Sequence, residues 1–321
     1  MDVQKIGARV AKLWPSGIMI ATTAQLDEAG CGDRLLTVAV RMRVLVRIRR
    51  GAYVRAETWD ALKPWEQSKF LLMAHILTVS GHPVYSHFSA ARLHGLDVWN
   101  CGDEVHLTSP STPSGTGVAA DVVHHHLQLP AGSAGRITSA AGPRVRVTSL
   151  ERTVVDCARF GGFAQAVVIG DHALRRGASM ETMMAMVSGL TGRRGVKRAR
   201  RVLAALNEAS ESVGESRTRL VLAVMDIPAP VLQLRIQANG TEYRADFAWP
   251  ELKLILEFDG QGKYFNYRPT AEALLAERRR ESLLVEQGWR FIRVVWDDLA
   301  RPEDLRRRIY RAVAEARRAA A

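Results

Sequence analysis

The chain has 321 residues, 47% hydrophobic and 24% charged, and carries a formal net charge of +12. That length calls for two or three domains, and that balance excludes a disordered chain. No apolar run approaches the roughly eighteen residues a membrane span needs, so no membrane partner is expected. The start, M-D-V-Q-K-I-G-A-R-V, lacks the basic-then-apolar pattern of a secretion signal. Cys31, Cys101 and Cys157 are scattered and odd in number, which fits a reducing cytoplasm better than a disulfide frame or a zinc site.

The excess charge is mostly arginine, and it is clustered. Arg47, Arg49 and Arg50 sit together, and Arg193, Arg194, Lys197, Arg198, Arg200 and Arg201 share a stretch without acids. Arg278–Arg280 and Arg306–Arg308 are two more groups. Solvated helix faces supply part of this pattern. Clustering favours a polyanion partner, most simply DNA.

In chain order, Thr22–Ala29 predicts a short helix closed by Gly30, and Asp33 is the expected N-cap of a helix over Arg34–Met42. V-L-V-R-I-R-R-G-A-Y-V (44–54) predicts two strands around a turn at Arg50–Gly51. Helix, turn, helix and basic hairpin together predict a winged helix-turn-helix domain over 1–60, with its second helix in the major groove. The basic residues expected to touch DNA are Arg41, Arg43, Arg47, Arg49 and Arg50. The alternative is a small helical lid with an ordinary hairpin.

Residues 61–205 predict a mixed α/β middle domain. Helices are expected over Lys63–Val79 and Ser86–Leu93, and strands over Val105–Thr108, Asp121–Leu127 and Arg144–Val147. Helices over Glu151–Phe160, Phe163–Arg176, Met180–Leu190 and Val196–Glu208 follow. His124–His126 alternate faces on a strand, so at most two could share a site, and a structural role is the expectation. His87 and His94, seven apart on the predicted helix, would share a face and could contact phosphate; packed or capped histidines are the expectation.

The last domain, 206–321, reads α-β-β-β-α-β-α, an α/β sandwich around a mixed sheet. Its helix Glu215–Met225 precedes strands 231–237, Tyr243–Trp249 and Leu252–Phe258. A two-residue turn at Pro250–Glu251 would set Asp246 opposite Ile255 and Glu257 one diagonal step away. Acids on one face of otherwise apolar strands cost free energy unless a cation or a set of hydrogen-bond donors compensates them. Two carboxylates at that reach suit magnesium or manganese. Lys263 could stabilise developing negative charge, Glu215 could position a hydrated metal, and Arg280 could hold an acid or a phosphate. An ion pair of the acids with Arg244 or Lys253 is the alternative.

The residues also carry a resemblance. Glu215 in G-E-S-R-T-R-L, Asp246 in R-A-D-F-A-W-P, Glu257 in E-F-D-G-Q-G-K-Y, then E-R-R-R-E-S-L-L, G-W-R-F-I-R and W-D-D-L resemble the PD-(D/E)XK nuclease superfamily, in its very-short-patch-repair branch. The resemblance implies a restriction-endonuclease-like fold and a magnesium-dependent DNA endonuclease, with Asp246 and Glu257 as metal ligands and Glu215 as an accessory acid. Asp259 stands where the superfamily usually has lysine, and Lys263 holds the final place of the D-G-x-x-K variant. V-R-I-R-R-G-A-Y-V, S-H-F-S-A-A-R-L-H-G-L and V-T-S-L-E-R-T-V-V-D-C-A-R are similar to actinobacterial relatives of the AbiEi antitoxins. That similarity implies a DNA-binding regulator without catalysis as the alternative function, with a cognate toxin and a second copy of the chain as further partners. RNA processing is a third reading.

Overall fold

A computed structural model describes residues 2–111, 120–260 and 271–320, with side chains throughout these ranges except at 271–277, 280 and 320. The chain is α+β with separate sheets, one inside each of the segments 1–60, 61–205 and 206–321. Packing gathers it into two compact units, Met1–Leu96 with Asn100–Cys157, and Asp97–Trp99 with Ala158–Ala321.

In the first unit, α1 (Val3–Leu13) buries Ile6 and Val10. After β1 (Ala21–Thr22), α2 (Thr23–Glu28) starts from a capping box in which Gln25 N donates to Thr22 Oγ1 and Thr22 N to Gln25 Oε1. The next helix, α3 (Asp33–Arg41), is capped at Gly32, so Asp33 lies in its first turn and not at the expected cap. Strands β2 (Leu45–Arg49) and β3 (Ala52–Arg55) close on Gly51, whose φ of +83° suits glycine. The sheet runs β1-β3-β2, with a bulge between Arg47 and Arg49. Leu26, Leu36 and Leu45 pack on α1 from the helix side.

Two further helices follow, α4 (Ala56–Ala61) and α5 (Pro64–Thr78). Phe70 and Ala74 of α5 pack on Ala52 and Val54. A second sheet is built from β4 (Val84–Tyr85), β5 (Val105–Ser109), β6 (Val122–His126), β7 (Ala134–Thr138) and β8 (Arg144–Thr148), in order β6-β5-β4-β8-β7. Helix α6 (His87–Leu93) follows β4 directly. Helix α7 (Leu150–Phe160) holds a buried Arg152–Asp156 ion pair of 2.8 Å.

The second unit contains α8 (Phe163–Arg175), α9 (Met180–Gly189), α10 (Val196–Ala204) and α11 (Val213–Leu222). Then come β9 (Val231–Ala238), β10 (Thr241–Trp249), β11 (Leu254–Phe258), α12 (Ala271–Glu286), β12 (Arg290–Val294), α13 (Trp296–Ala300) and α14 (Pro302–Ala320). Sheet order is β12-β11-β10-β9; β11 and β12 run parallel, the other pairs antiparallel. Phe247, Leu256 and Ile292 face Leu222 of α11 and Ile309 of α14. Ala245, Ile255 and Trp289 pack with Leu284 of α12.

Two links hold α11 in place. Asp171 of α8, fully buried, accepts from Ser216 Oγ at 2.7 Å, Arg219 Nη2 at 2.7 Å and Asn207 N at 2.8 Å. Gly214 lies so close to the Phe258 ring that a Cβ there would be 1.9 Å from it.

The hairpin corrects one expectation. Pro250–Leu252 forms a 3-10 turn, and Lys253 takes the left-handed conformation with φ +45°. The pairs are Trp249↔Leu254, Ala248↔Ile255 and Phe247↔Leu256. Ile255 therefore faces Ala248, and continuing the register sets Asp246 across from Glu257. The cause is Pro250: two-residue hairpin turns need positive φ at their first residue, and proline fixes φ near −65°.

Candidate functional site

Four elements of the second unit bring Glu215, Gln233, Asp246 and Glu257 together. Glu215 sits in the first turn of α11, only 8% exposed. Ser212 is the cap: its Oγ accepts from Glu215 N at 3.1 Å and donates to Glu215 Oε1 at 2.8 Å. Glu215 Oε2 accepts from Glu211 N at 2.7 Å and from Gln233 Nε2 at 3.0 Å. Asp246 Oδ2 accepts from Phe258 N at 2.9 Å, and Asp246 N donates to Glu257 Oε1 at 3.4 Å. Tyr243 adds a side-chain hydrogen bond to Glu257.

The strands are irregular here. Leu234, Ile236, Tyr243 and Ala245 belong to the α12 side, whereas Leu232 and Phe247 belong to the α11 side. Side chains two apart should share a face. Both strands switch faces at Gln233 and Asp246. Gln233 has φ +52°, the left-handed region that a non-glycine residue enters at a cost. The switch lets Glu215, from the α11 side, and Glu257, alternating with residues of that same side, reach Asp246 between them.

The electrostatics are those of crowded acids. Burial pushes Glu257 up to about 7, and the neighbouring Asp246 adds to it; Tyr243 and Arg293 oppose the shift. Glu215 is raised by burial first and then by Asp246. Among the described residues no arginine or lysine forms an ion pair with Glu215 or Glu257. Arg244 pairs instead with Glu211 at 2.5 Å, and Lys253 donates to Gln287 O at 2.7 Å. Gln233 Oε1 is buried, with no hydrogen-bond partner among the described residues. Carboxylates and one amide oxygen are the donor set of a hard divalent cation, so these residues fit magnesium or manganese.

The other expected residues are placed as follows. Asp259 follows β11 and donates its N–H to Val294 O at 2.8 Å. Lys263 lies outside the described residues, as does the side chain of Arg280 in α12. Arg293 of β12, the parallel partner of Glu257, instead ion-pairs with Glu281 of α12 at 2.8 Å. Gln233, Tyr243 and Arg293 were missed by sequence reasoning. Gln233 alternates with leucine and isoleucine like any half-exposed strand residue, and nothing in the sequence marks its backbone.

In the first unit, Arg41, Arg47 and Arg50 are exposed. Arg43 is exposed too and pairs with Asp60 at 2.7 Å. Arg49 is turned inward, its side chain 17% exposed, in an ion pair with Asp121, and burial lowers its pKa. Arg34, Thr37 and Arg41 form one exposed face of α3, at spacings of three and four.

His87 is packed and His94 sits at a helix end, as expected. His94 caps α6 and lies 2.7 Å, through Nε2, from Thr148 O. His87 opens the helix with φ +50° and stacks on His125, their ring centroids 3.5 Å apart. His106 lies beside both.

No family model matches the chain. It is similar to two proteins of Mycobacterium tuberculosis, "Uncharacterized protein MT2308" of strain CDC 1551 / Oshkosh and "Uncharacterized protein Rv2248" of strain ATCC 25618 / H37Rv. Identity to each is 30% over 285 residues, spanning 87% of this chain and 99% of the relative. The crystal structure of RV2827C protein from Mycobacterium tuberculosis is 17% identical, covers 74% of this chain and 89% of its own, and superposes with a TM-score of 0.38.

Proposed function

The chain belongs to the family of these two mycobacterial proteins, and we propose that this member is a DNA-binding protein with a divalent-metal-dependent DNA endonuclease site in its last sheet. The observation that carries the reading is the convergence of buried Glu215 with half-buried Asp246 and Glu257, beside a Gln233 oxygen that has no hydrogen-bond partner among the described residues. On this reading 206–321 is a restriction-endonuclease-like α/β sandwich and 1–60 a winged helix-turn-helix. The order α1-β1-α2-α3-β2-β3 supports the latter, as does the basic exposed face of α3.

Asp246 and Glu257 would hold the cation, with Gln233 Oε1 as a neutral oxygen beside them. Bound magnesium or manganese would polarise a phosphate and lower the pKa of an attacking water. The chain's own residues fix the ligands. The Phe258 amide orients Asp246, Tyr243 orients Glu257, and Ser212 with Gln233 orients Glu215. A net charge of +12 favours the polyanionic substrate. Incubation of the full chain with supercoiled, nicked and mismatched DNA and magnesium should give cleavage that Asp246→Ala abolishes. Absence of cleavage, or cleavage unchanged in Asp246→Ala, overturns the catalytic claim.

One observation favours a second reading. Asp259 occupies the place where the superfamily carries its lysine. A non-catalytic, antitoxin-like regulator would use this sheet for binding alone. It would bind promoter DNA without metal and cleave nothing.

A further inference from the structure

Three histidines distant in sequence meet within the first unit. His87 opens α6, His106 lies in β5 and His125 in β6. Strands β5 and β6 pair in parallel with His106 opposite Val123. His125 lies two residues beyond Val123, hence on the same face as His106. Ser86 N donates to His106 O at 3.0 Å, which seats the start of α6 over that face. One ligating nitrogen from each ring lies within 4.8 Å of the other two. His106 Nδ1 and His125 Nε2 are 2.9 Å apart. His87 and His106 are 6% and 2% exposed.

We propose that His87, His106 and His125 form a binding site for a divalent transition metal, zinc foremost, with the fourth tetrahedral position left to a water or a small anion. The donor chemistry selects the metal. Neutral imidazoles suit zinc and its neighbours and not magnesium, so this site is separate in kind from the carboxylates. Bonds of about 2.0–2.1 Å at tetrahedral angles separate ligand nitrogens by about 3.3–3.4 Å. The 2.9 Å separation of His106 and His125 needs only a small opening to reach that.

A supporting shell is present. Ser86 Oγ lies 2.9 Å from His87 Nδ1 and accepts from Thr108 Oγ1 at 2.7 Å. An Nδ1–H donating to Ser86 leaves His87 Nε2 as the ligand, the arrangement that orients metal-binding histidines generally. A second movement is required. The His87 and His125 rings are parallel within 14°. Parallel rings cannot aim lone pairs at one point, so one must turn about χ2, a torsion with a broad well.

The test uses untagged full-length chain, stripped with chelator and titrated with zinc and with cobalt. The expected result is one tightly bound equivalent, a visible cobalt spectrum of tetrahedral type and a raised melting temperature. His125→Gln should lose all three, while His126→Gln, one residue along the strand, should keep them. Binding that is absent, or equal in His125→Gln and wild type, overturns the proposal. Should His125→Gln fail to fold, X-ray absorption on zinc-loaded wild type decides alone. Imidazole scattering at about 2.0–2.1 Å supports the site, and a sulfur or carboxylate shell overturns it.

Discussion

Asp246 and Glu257 are joined across the β10–β11 pair: the Asp246 amide donates to Glu257 Oε1 at 3.4 Å, and Asp246 Oδ2 accepts from the amide of Phe258 at 2.9 Å. Each acid is thereby held by backbone of the strand that carries the other or its neighbour. Backbone donors do not move with side-chain rotamers, so the pair is a fixed platform to which Glu215 and Gln233 are added.

Gly214 sets the distance of α11 from that platform. A methyl group would strike the Phe258 ring, and overpacking of this kind costs roughly 1–3 kcal/mol. Gly214→Ala should lower the melting temperature and, by pushing Glu215 outward, weaken magnesium binding. Unchanged values of both in calorimetry would show that the helix has room to spare.

Gln233 separates backbone from ligand effects. Its left-handed backbone costs about 1–2 kcal/mol for a non-glycine residue. Gln233→Gly should therefore leave stability unchanged or raised while weakening magnesium affinity, because the amide is gone. Full affinity in the glycine variant would remove Gln233 from the proposed cation site.

Stability should depend on pH through Glu257. Its folded pKa is raised to about 7, so between the ordinary glutamate range, about 4.3, and 7 the folded state binds the extra proton. Stability is therefore greatest at the acid end of this window and is lost as pH rises through it, by roughly 3–4 kcal/mol. Thermal melts without divalent cation should show this fall. Glu257→Gln should flatten it, and saturating magnesium should reverse it by favouring the carboxylate. A wild-type slope identical to that of Glu257→Gln would contradict the assignment.

DNA binding should divide the arginines. Arg34 and Arg41 share the exposed face of α3, whereas Arg49 is engaged with Asp121. Replacing Arg34 and Arg41 by alanine should reduce the slope of log affinity against log salt by about two, near 0.9 for each phosphate left unneutralised. Arg49→Ala should act mainly on stability. Fluorescence anisotropy across a salt series measures the first, and a melt the second.

Much of this architecture is legible in the sequence because it rests on local signals. Gly30 and Gly51 mark the ends and turns of the segment 1–60, and the acids stand out on apolar strands. What escaped was set by backbone and by long-range packing. The Pro250 turn moved the register by two and improved the meeting of Asp246 and Glu257; proline's fixed φ was a readable signal. The short strands β1 and β4 carry too few residues for periodicity. The meeting of His87, His106 and His125 spans 38 residues of sequence and depends on the pairing of β5 with β6. No spacing rule reaches that far.

The most direct test is calorimetric titration of magnesium into the full chain and into Asp246→Asn. Imidazole clusters do not take magnesium, so the signal reports on the carboxylates alone. A saturable isotherm in wild type that disappears in Asp246→Asn, with the fold retained by circular dichroism, is the predicted result. No binding in wild type, or equal binding in both proteins, would contradict a cation site at Glu215, Asp246 and Glu257.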